Sequence, residues 1–182
     1  GLALEASVYM HHYGVTEKDA ARVVVRDRKN ACGNPFAHLR KEVTIEEVLK
    51  SPMLCDPVKL LDMCPRSDGA CAVIFASEDV AEKITESPAW IWGATNRHLN
   101  TFINDVDFHG LPSLKNASEE LYQKCGIKEP LKEIDVIELY QPYSFGGLMW
   151  LESLGLCKEG EAPQLVWDGV TDMEGELPIN PS

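Results

Sequence analysis

The sequence has little positive charge and no long hydrophobic run. Its 182 residues carry 17 Lys and Arg against 29 Asp and Glu, which gives a net charge of −12. Nucleic acids and anionic membrane surfaces attract basic proteins, so neither is an expected partner. No apolar stretch approaches the roughly 20 residues of a membrane span, and no secretory signal heads the chain. We therefore expect a cytoplasmic globular protein.

Zinc-binding and disulfide patterns are also missing. The six cysteines include no C-x-x-C pair, and no histidine stands at a zinc-ligand spacing from them. We therefore expect free thiols and no metal. Cys64 and Cys71 flank a turn and are interpreted as core residues.

The few basic residues are unevenly distributed. Residues 22–41 contain a single acid, Asp27, and six basic side chains: Arg22, Arg26, Arg28, Lys29, Arg40 and Lys41. Such a segment suits a phosphate-bearing ligand. A solvated helix face with paired charges is an equally good interpretation.

The first third of the chain is predicted to be helical and irregular. Hydrophobic spacing indicates a helix over residues 2–13, ended by Gly14. The pairs Thr16–Asp19 and Thr44–Glu47 resemble capping boxes, which predict further helix starts at these points.

The character of the sequence then changes to short apolar runs. Residues 70–76, 89–94 and 134–139 are each predicted to form a strand, and the first and last of these a buried one. An amphipathic helix is predicted between the last two, over residues 112–125. The alternation of strands and helices predicts an α/β fold with a buried sheet. We place a domain boundary after residue 86, which separates units 1–86 and 87–182.

A polar and aromatic cluster follows the last predicted strand. Residues 138–145 read ELYQPYSF and lead into a helical run over residues 146–154. The junction of strand and helix is where α/β folds place chemistry. This junction offers the phenols of Tyr140 and Tyr143 and the amide of Gln141.

Several segments occur in an order that resembles the thiolase superfamily over nearly the whole chain. They include CPRSDGACA at residues 64–72, YMHHYGVT at 9–16 and GELPIN at 175–180. The closest resemblance is to sterol-carrier-protein-type thiolases and acetyl-CoA acetyltransferase-like proteins. It implies a thiolase-like five-layered α-β-α-β-α fold, present here as a partial chain. Residues 1–86 would end the N-terminal half with its helical cap, and residues 87–182 would begin the C-terminal half.

The resemblance implies reversible carbon–carbon bond chemistry on acyl-CoA thioesters. Coenzyme A would be substrate or product, with no tightly bound cofactor. Classical thiolases have Asn-Glu-Ala-Phe, and the sterol-carrier type has His-Asp-Cys-Phe, where this chain has Tyr140-Gln141-Pro142-Tyr143. A phenol with a reference pKa near ~10 stays protonated at neutral pH, so Tyr140 is a candidate donor to a developing oxyanion. Tyr143 is a second catalytic candidate, and packing roles explain both tyrosines as well.

The remaining expectations also come from the resemblance. Arg26, Arg28 and Arg40 would meet the CoA phosphates, and His109 would assist substrate positioning or be a solvated loop residue. The nucleophilic cysteine and the catalytic histidine would lie before Gly1 and after Ser182, so the 182-residue chain alone is expected to be inactive.

Three functions stay open. The first is a thiolase-like acyltransferase, the second is a retro-aldolase acting on a β-hydroxyacyl-CoA, and the third is a non-catalytic CoA-binding subunit. We expect a homodimer, with a small zinc-ribbon/OB-fold protein as a further partner. The presence of a cysteine at the upstream nucleophile position would favour the thiolase, and its absence the aldolase.

Overall fold

The computed structural model describes residues 1–98, 108 and 110–182. The first helices are α1 (Leu2–Tyr13), α2 (Glu17–Gly33) and α3 (Ile45–Lys50). A small antiparallel hairpin of β1 (Met53–Cys55) and β2 (Val58–Lys59) follows and leads into a 3₁₀ turn, Leu60–Asp62. The later helices are α4 (Glu78–Ile84), α5 (Pro112–Cys125), α6 (Pro130–Glu133), α7 (Ser144–Ser153) and α8 (Ala162–Trp167).

Both predicted capping boxes are present. The Asp19 carboxylate accepts from the Thr16 backbone N–H at 2.8 Å, while the Asp19 N–H donates to the Thr16 hydroxyl at 3.4 Å. The Thr44–Glu47 pair makes the same two bonds at 2.7 and 3.1 Å. Each box satisfies backbone donors that the first turn of a helix leaves without a partner. These bonds start α2 and α3 where the sequence predicts.

The core is built around α7. Every residue of this helix except Trp150 is buried, and α2, α5 and α8 pack against it. The adjacent glycines Gly146 and Gly147 let neighbouring side chains approach its first turn, where an added Cβ would meet Tyr143 or Gln141. The largest core cluster has these buried members: Tyr9, Val15, Val23, Leu148, Met149, Leu151, Leu156, Ala162, Val166, Leu177 and Ile179.

The strands predicted at residues 70–76 and 89–94 are wrong. Both segments lack strand pairing, and the apolar side chains at their centres are exposed, Phe75 by 75% and Trp92 by 80%. A buried strand needs neighbours that take up its backbone N–H and C=O groups. Within the described residues the only sheet is the β1–β2 hairpin, and neither segment pairs with it.

The segment predicted as a strand at residues 134–139 forms a single isolated β-bridge. Ile137 forms a parallel bridge with Ile179, and Val136 and Glu138 are exposed. The segment is therefore extended but half-buried. The described residues are mostly helical with little sheet, so the five-layered arrangement and the boundary after residue 86 stay predictions.

Candidate functional site

The candidate site is the connection between the extended segment and α7, residues 140–144, called the turn below. Its entry is held by Asn180, whose side-chain oxygen accepts from the Leu139 N–H at 2.5 Å. Asn180 has a φ of 49°, and its own N–H donates to the Ile137 carbonyl at 2.9 Å. Asn180 thus extends the pairing that the segment makes with Ile179. The exit of the turn is the first residue of α7, Ser144.

Three polar side chains of the turn each bind a carboxylate from a different element. Gln141 binds Asp27 on α2, Tyr143 binds Glu5 on α1, and Ser144 binds Asp62 in the 3₁₀ turn: these pairs are separated by 114, 138 and 82 residues in sequence. Hydrogen bonds to charged acceptors are roughly twice as strong as neutral ones. The turn is therefore anchored from three sides.

Tyr143 is buried inside this arrangement. Its side chain is 3% exposed, and its hydroxyl donates to Glu5 Oε2 at 2.9 Å. Burial, reinforced by the charge of Glu5 and the hydrogen bond to it, raises the pKa of Tyr143 above the usual range of a phenol. The phenol of Tyr143 is thus held protonated, and its hydroxyl is hydrogen-bonded to Glu5.

Gln141 lies between two charged groups of α2. Its Nε2 donates to Asp27 Oδ2, and its Oε1 accepts from Arg26 Nη2 at 3.3 Å. Arg26 also donates from Nε to Asp27 Oδ1 at 2.9 Å. Burial raises the pKa of Asp27, although Arg26 and the Gln141 hydrogen bond act in the opposite direction. The Gln141 amide is therefore fixed in one orientation.

Ser144 completes the anchoring at the start of α7. Its hydroxyl donates to Asp62 Oδ1 at 2.7 Å, and Asp62 Oδ2 accepts from the Lys59 N–H at 2.8 Å. Both Ser144 and Asp62 are buried. Burial raises the pKa of Asp62, against the lowering effect of these two hydrogen bonds.

Tyr140 is placed differently from the rest of the turn. It is 77% exposed, and its ring lies 5.6 Å from the Trp150 ring, centroid to centroid, at 31°. Trp150 is the residue of α7 that is not buried. The Tyr140 side chain is thus exposed to solvent, and its ring contacts the Trp150 ring.

A cavity of about 370 Å³ lies behind the turn, on the side of α2. Its lining mixes anionic, cationic and neutral polar groups with the Cys64 thiol, and includes Asp27, Arg28, Asp62, Cys64, Gln141 and Ser144. Tyr140 does not line it. The turn therefore separates an outward phenol from a polar cavity.

The three predicted phosphate ligands occupy different environments. Arg26 is 2% exposed and binds Asp27, Gln141 and, at 3.0 Å, the Thr171 hydroxyl. A phosphate contact by Arg26 would require these buried bonds to break, so the structure opposes that prediction. Arg28 lines the cavity, and Arg40 is exposed outside it. His109 lies outside the described residues.

The cysteine interpretation also needs correction. Cys64 and Cys71 are exposed because the segment that follows them does not enter a sheet.

Within the described residues, no group of three or more His, Cys, Asp or Glu side chains is arranged to hold a metal ion. No helix in the described part of the chain is long and apolar enough to cross a membrane.

The anchoring carboxylates were not found from the sequence. Glu5, Asp27 and Asp62 stand in no local motif with the turn, because each belongs to another element. Asp27 and Asn180 did stand in segments that the sequence had singled out, residues 22–41 and 175–180, but without any sign that they contact the turn. Long-range partners of this kind leave no spacing signal in a single sequence.

Comparison with known proteins gives a consistent result. Residues 94–182 match the family described as Thiolase C-terminal domain-like. The chain is 33% identical over 181 residues to an acetyl-CoA acetyltransferase of Methanothermobacter thermautotrophicus, which covers 99% of this chain and 47% of the relative. It is 35% identical over 185 residues to a steroid side-chain-cleaving aldolase of Thermomonospora curvata, covering 98% of this chain and 47% of the relative.

The fold is similar to that of a solved structure. A chain of the Ltp2-ChsH2(DUF35) aldolase superposes with a TM-score of 0.87 at 31% identity, covering 99% of this chain and 48% of that chain. The chain thus spans about half the length of these relatives.

Proposed function

Because this chain is similar to the thiolase superfamily over nearly its whole length, we propose that the protein makes or cleaves a carbon–carbon bond beside a CoA thioester. Tyr140 is the proposed catalytic residue. The observation that carries the proposal is the outward phenol of Tyr140 beside a turn whose other polar side chains are bound to carboxylates.

The anchoring of the turn supports this role for Tyr140. A catalytic donor works best when its backbone is held rigidly and its own polar group has no competing partner within the protein. The backbone of Tyr140 lies between Leu139, held by Asn180, and Gln141, held by Asp27. The Trp150 ring supports the phenol from one side.

In acyl transfer, the phenol of Tyr140 would donate a hydrogen bond to the thioester oxygen as that oxygen becomes an enolate. Such donors stabilise the charge that develops in the transition state. An upstream cysteine thiolate would accept the acyl group, as the family chemistry requires. Tyr143 is left out of this chemistry, because its phenol is buried on Glu5.

Arg28 and Arg40 are the proposed ligands of the CoA phosphates. Arg28 lies at the wall of the cavity and Arg40 is exposed beyond it. Guanidinium groups bind phosphates through two parallel hydrogen bonds and remain charged at all relevant pH values. The basic segment of residues 22–41 would thus contribute two side chains that bind the CoA phosphates: Arg28 on α2 and Arg40 after it.

A second candidate is retro-aldol cleavage of a β-hydroxyacyl-CoA. It is favoured by the phenol at position 140, where thiolases of both types have Asn or His, and by the aldolase names of a relative and of the similar structure. A base takes the proton of the β-hydroxyl, and the bond between the α and β carbons breaks. A carbonyl forms at the β carbon, the electron pair passes into the thioester enolate, and the α carbon then takes up a proton.

The proposal also includes the proteins with which this one assembles. We propose a homodimer that also binds a small zinc-ribbon/OB-fold protein, since the similar structure is a complex named with a DUF35 component. A non-catalytic CoA-binding subunit is the remaining alternative. It would be supported by CoA binding without bond formation or cleavage in the presence of such a partner.

The test is an assay of the longest reading frame that encodes these residues, alone and with the candidate partner. Thiolysis is followed with acetoacetyl-CoA, and retro-aldol cleavage with a β-hydroxyacyl-CoA through release of the carbonyl product. Tyr140→Phe should lower kcat by about 100-fold or more while CoA still binds. Tyr122→Phe is the matched control, because Tyr122 lies outside the turn and its hydroxyl binds the Leu154 carbonyl; it should retain most of the activity. Equal activity of Tyr140→Phe and the unmodified protein would exclude the proposed role of Tyr140.

A further inference from the structure

We infer that Asp27 is a positioning residue, which fixes the Gln141 amide and, through it, the backbone that presents Tyr140. The consequence for catalysis rests on the proposed function. The positional part does not, because it concerns only contacts within the chain.

The contacts form a closed triangle. Gln141 Nε2 donates to Asp27 Oδ2, and Gln141 Oε1 accepts from Arg26 Nη2 at 3.3 Å. Arg26 closes the triangle by donating from Nε and Nη2 to Asp27 Oδ1, at 2.9 and 2.8 Å. A flipped Gln141 amide would place a donor against Arg26 and an acceptor against Asp27. The geometry therefore allows one orientation of the amide.

The triangle is closely enclosed. Arg26 donates from Nη1 to Thr171 Oγ1 at 3.0 Å, and Thr171 is fully buried. On the other side, an added Cβ at Gly147 would lie 2.5 Å from Gln141 Oε1. The absence of a side chain at position 147 is thus what lets Gln141 reach Arg26. Arg26 therefore has little room to take another position, whereas Gln141 is confined on the side of Gly147 and borders the cavity on another.

The effect of Asp27 reaches Tyr140 through one peptide. Tyr140 lies between Leu139, whose N–H binds Asn180, and Gln141, whose side chain binds Asp27. Loss of the Asp27 contact removes one of the two partners that hold the Gln141 side chain, the other being Arg26. The weakened anchor lets the Tyr140 ring move relative to Trp150. Displacements of about 1 Å can lower a reaction rate by about 100-fold.

The direction of the hydrogen bond between Gln141 and Asp27 can be tested by exchanging the amide and the carboxylate. In Asp27→Asn the side-chain oxygen can still accept from Arg26, but the new amide nitrogen then faces the Gln141 Nε2 donor. Gln141→Glu places a second carboxylate against Asp27. In the exchange variant Asp27→Asn with Gln141→Glu, the amide at position 27 donates to the carboxylate at position 141, which reverses that one hydrogen bond, while both side chains still accept from Arg26. The net charge is unchanged, so the variant should recover the geometry that each single change disturbs.

The readout is the ¹⁹F spectrum of the chain labelled with 3-fluorotyrosine. The Tyr140 resonance is assigned by its loss in Tyr140→Phe, and its shift reports the position of the ring beside Trp150. Each single variant should move this resonance, and the exchange variant should return it to its original position. Tyr122, whose hydroxyl binds the Leu154 carbonyl, provides an internal reference that should stay constant.

The matched control is Asp172→Asn. Asp172 is also a carboxylate partner of an arginine on α2, Arg22, at 2.6 Å, but it does not contact the turn. Its loss should leave the Tyr140 resonance unmoved. A shift in Asp172→Asn as large as in Asp27→Asn would show a general effect of α2 and would overturn the inference.

Stability and turnover complete the experiment. In urea unfolding, the exchange variant should recover about tenfold in the unfolding equilibrium constant relative to the sum of the single changes. Where the protein is active, the single variants should lose kcat by about 10–100-fold with little change in KM, and the exchange variant should regain it. An unmoved Tyr140 resonance in Asp27→Asn, or no recovery in the exchange variant, overturns the inference. Failure of the activity assays alone would instead count against the proposed function.

Discussion

The Tyr143 hydroxyl donates to Glu5 Oε2 at 2.9 Å, which joins the residue before α7 to α1 across 138 residues. The bond turns a residue of the candidate site into part of the core, where Tyr143 packs with Phe145. Tyr140, three residues earlier, faces outward. Two phenols that look equivalent in the sequence therefore have different consequences when they are changed.

The two tyrosines should differ in stability. Tyr143→Phe leaves the Glu5 carboxylate without this partner and should lower the free energy of unfolding by about 1–2 kcal/mol. Tyr140→Phe removes an exposed hydroxyl and should change it by less than about 0.5 kcal/mol. Urea unfolding of both variants checks the difference, and a larger loss for Tyr140→Phe would contradict the structure.

Gly147 should tolerate no side chain. In Gly147→Ala the new Cβ would lie 2.5 Å from Gln141 Oε1, and the free energy of unfolding should fall by about 1–3 kcal/mol. Gly33→Ala is the control, because Gly33 ends α2 with open space around it. It should be neutral or stabilising by up to about 1 kcal/mol. Thermal and urea unfolding of the pair measure the effect, and similar values for both would argue against the packing of Gln141.

Asp62 should make stability depend on pH. Burial raises its pKa in the folded state, so its favourable contribution is complete below the unfolded value of about 3.9 and is lost as the pH rises through the raised pKa. Asp62→Asn stays neutral and does not suffer this loss. The stability advantage of the unmodified protein over Asp62→Asn should therefore shrink as the pH rises above about 4.

Urea unfolding at a series of pH values measures this difference. Asp135→Asn, which changes an exposed carboxylate, is the control for general charge effects. An advantage that grows with pH would mean that Asp62 is held as a stabilised carboxylate.

The apolar segment at residues 70–76 should contribute little to stability. Phe75→Ser changes a side chain that is 75% exposed and should alter the free energy of unfolding by less than about 0.5 kcal/mol. Phe145→Ala removes a fully buried ring and should cost about 3–5 kcal/mol. Circular dichroism during urea titration compares the two. A large loss in Phe75→Ser would show that this segment is packed in solution.

Several features of this protein could be read from the sequence because their causes are local. The Thr16–Asp19 and Thr44–Glu47 boxes join residues three apart, so the residue types alone predict the helix starts. Gly14 ends α1 in a left-handed conformation that glycine adopts without strain. The segments that resemble the thiolase superfamily predicted the similarity that the comparisons confirm.

Only the tertiary structure decided which polar groups meet at the turn. Glu5, Asp27 and Asp62 reach it from three elements, over separations of 82 to 138 residues. The same dependence on distant neighbours explains why residues 70–76 and 89–94 are apolar in sequence and yet exposed. Capping bonds close within one helical turn, whereas a strand, a buried carboxylate or an anchored phenol depends on a partner that the rest of the fold must bring to it.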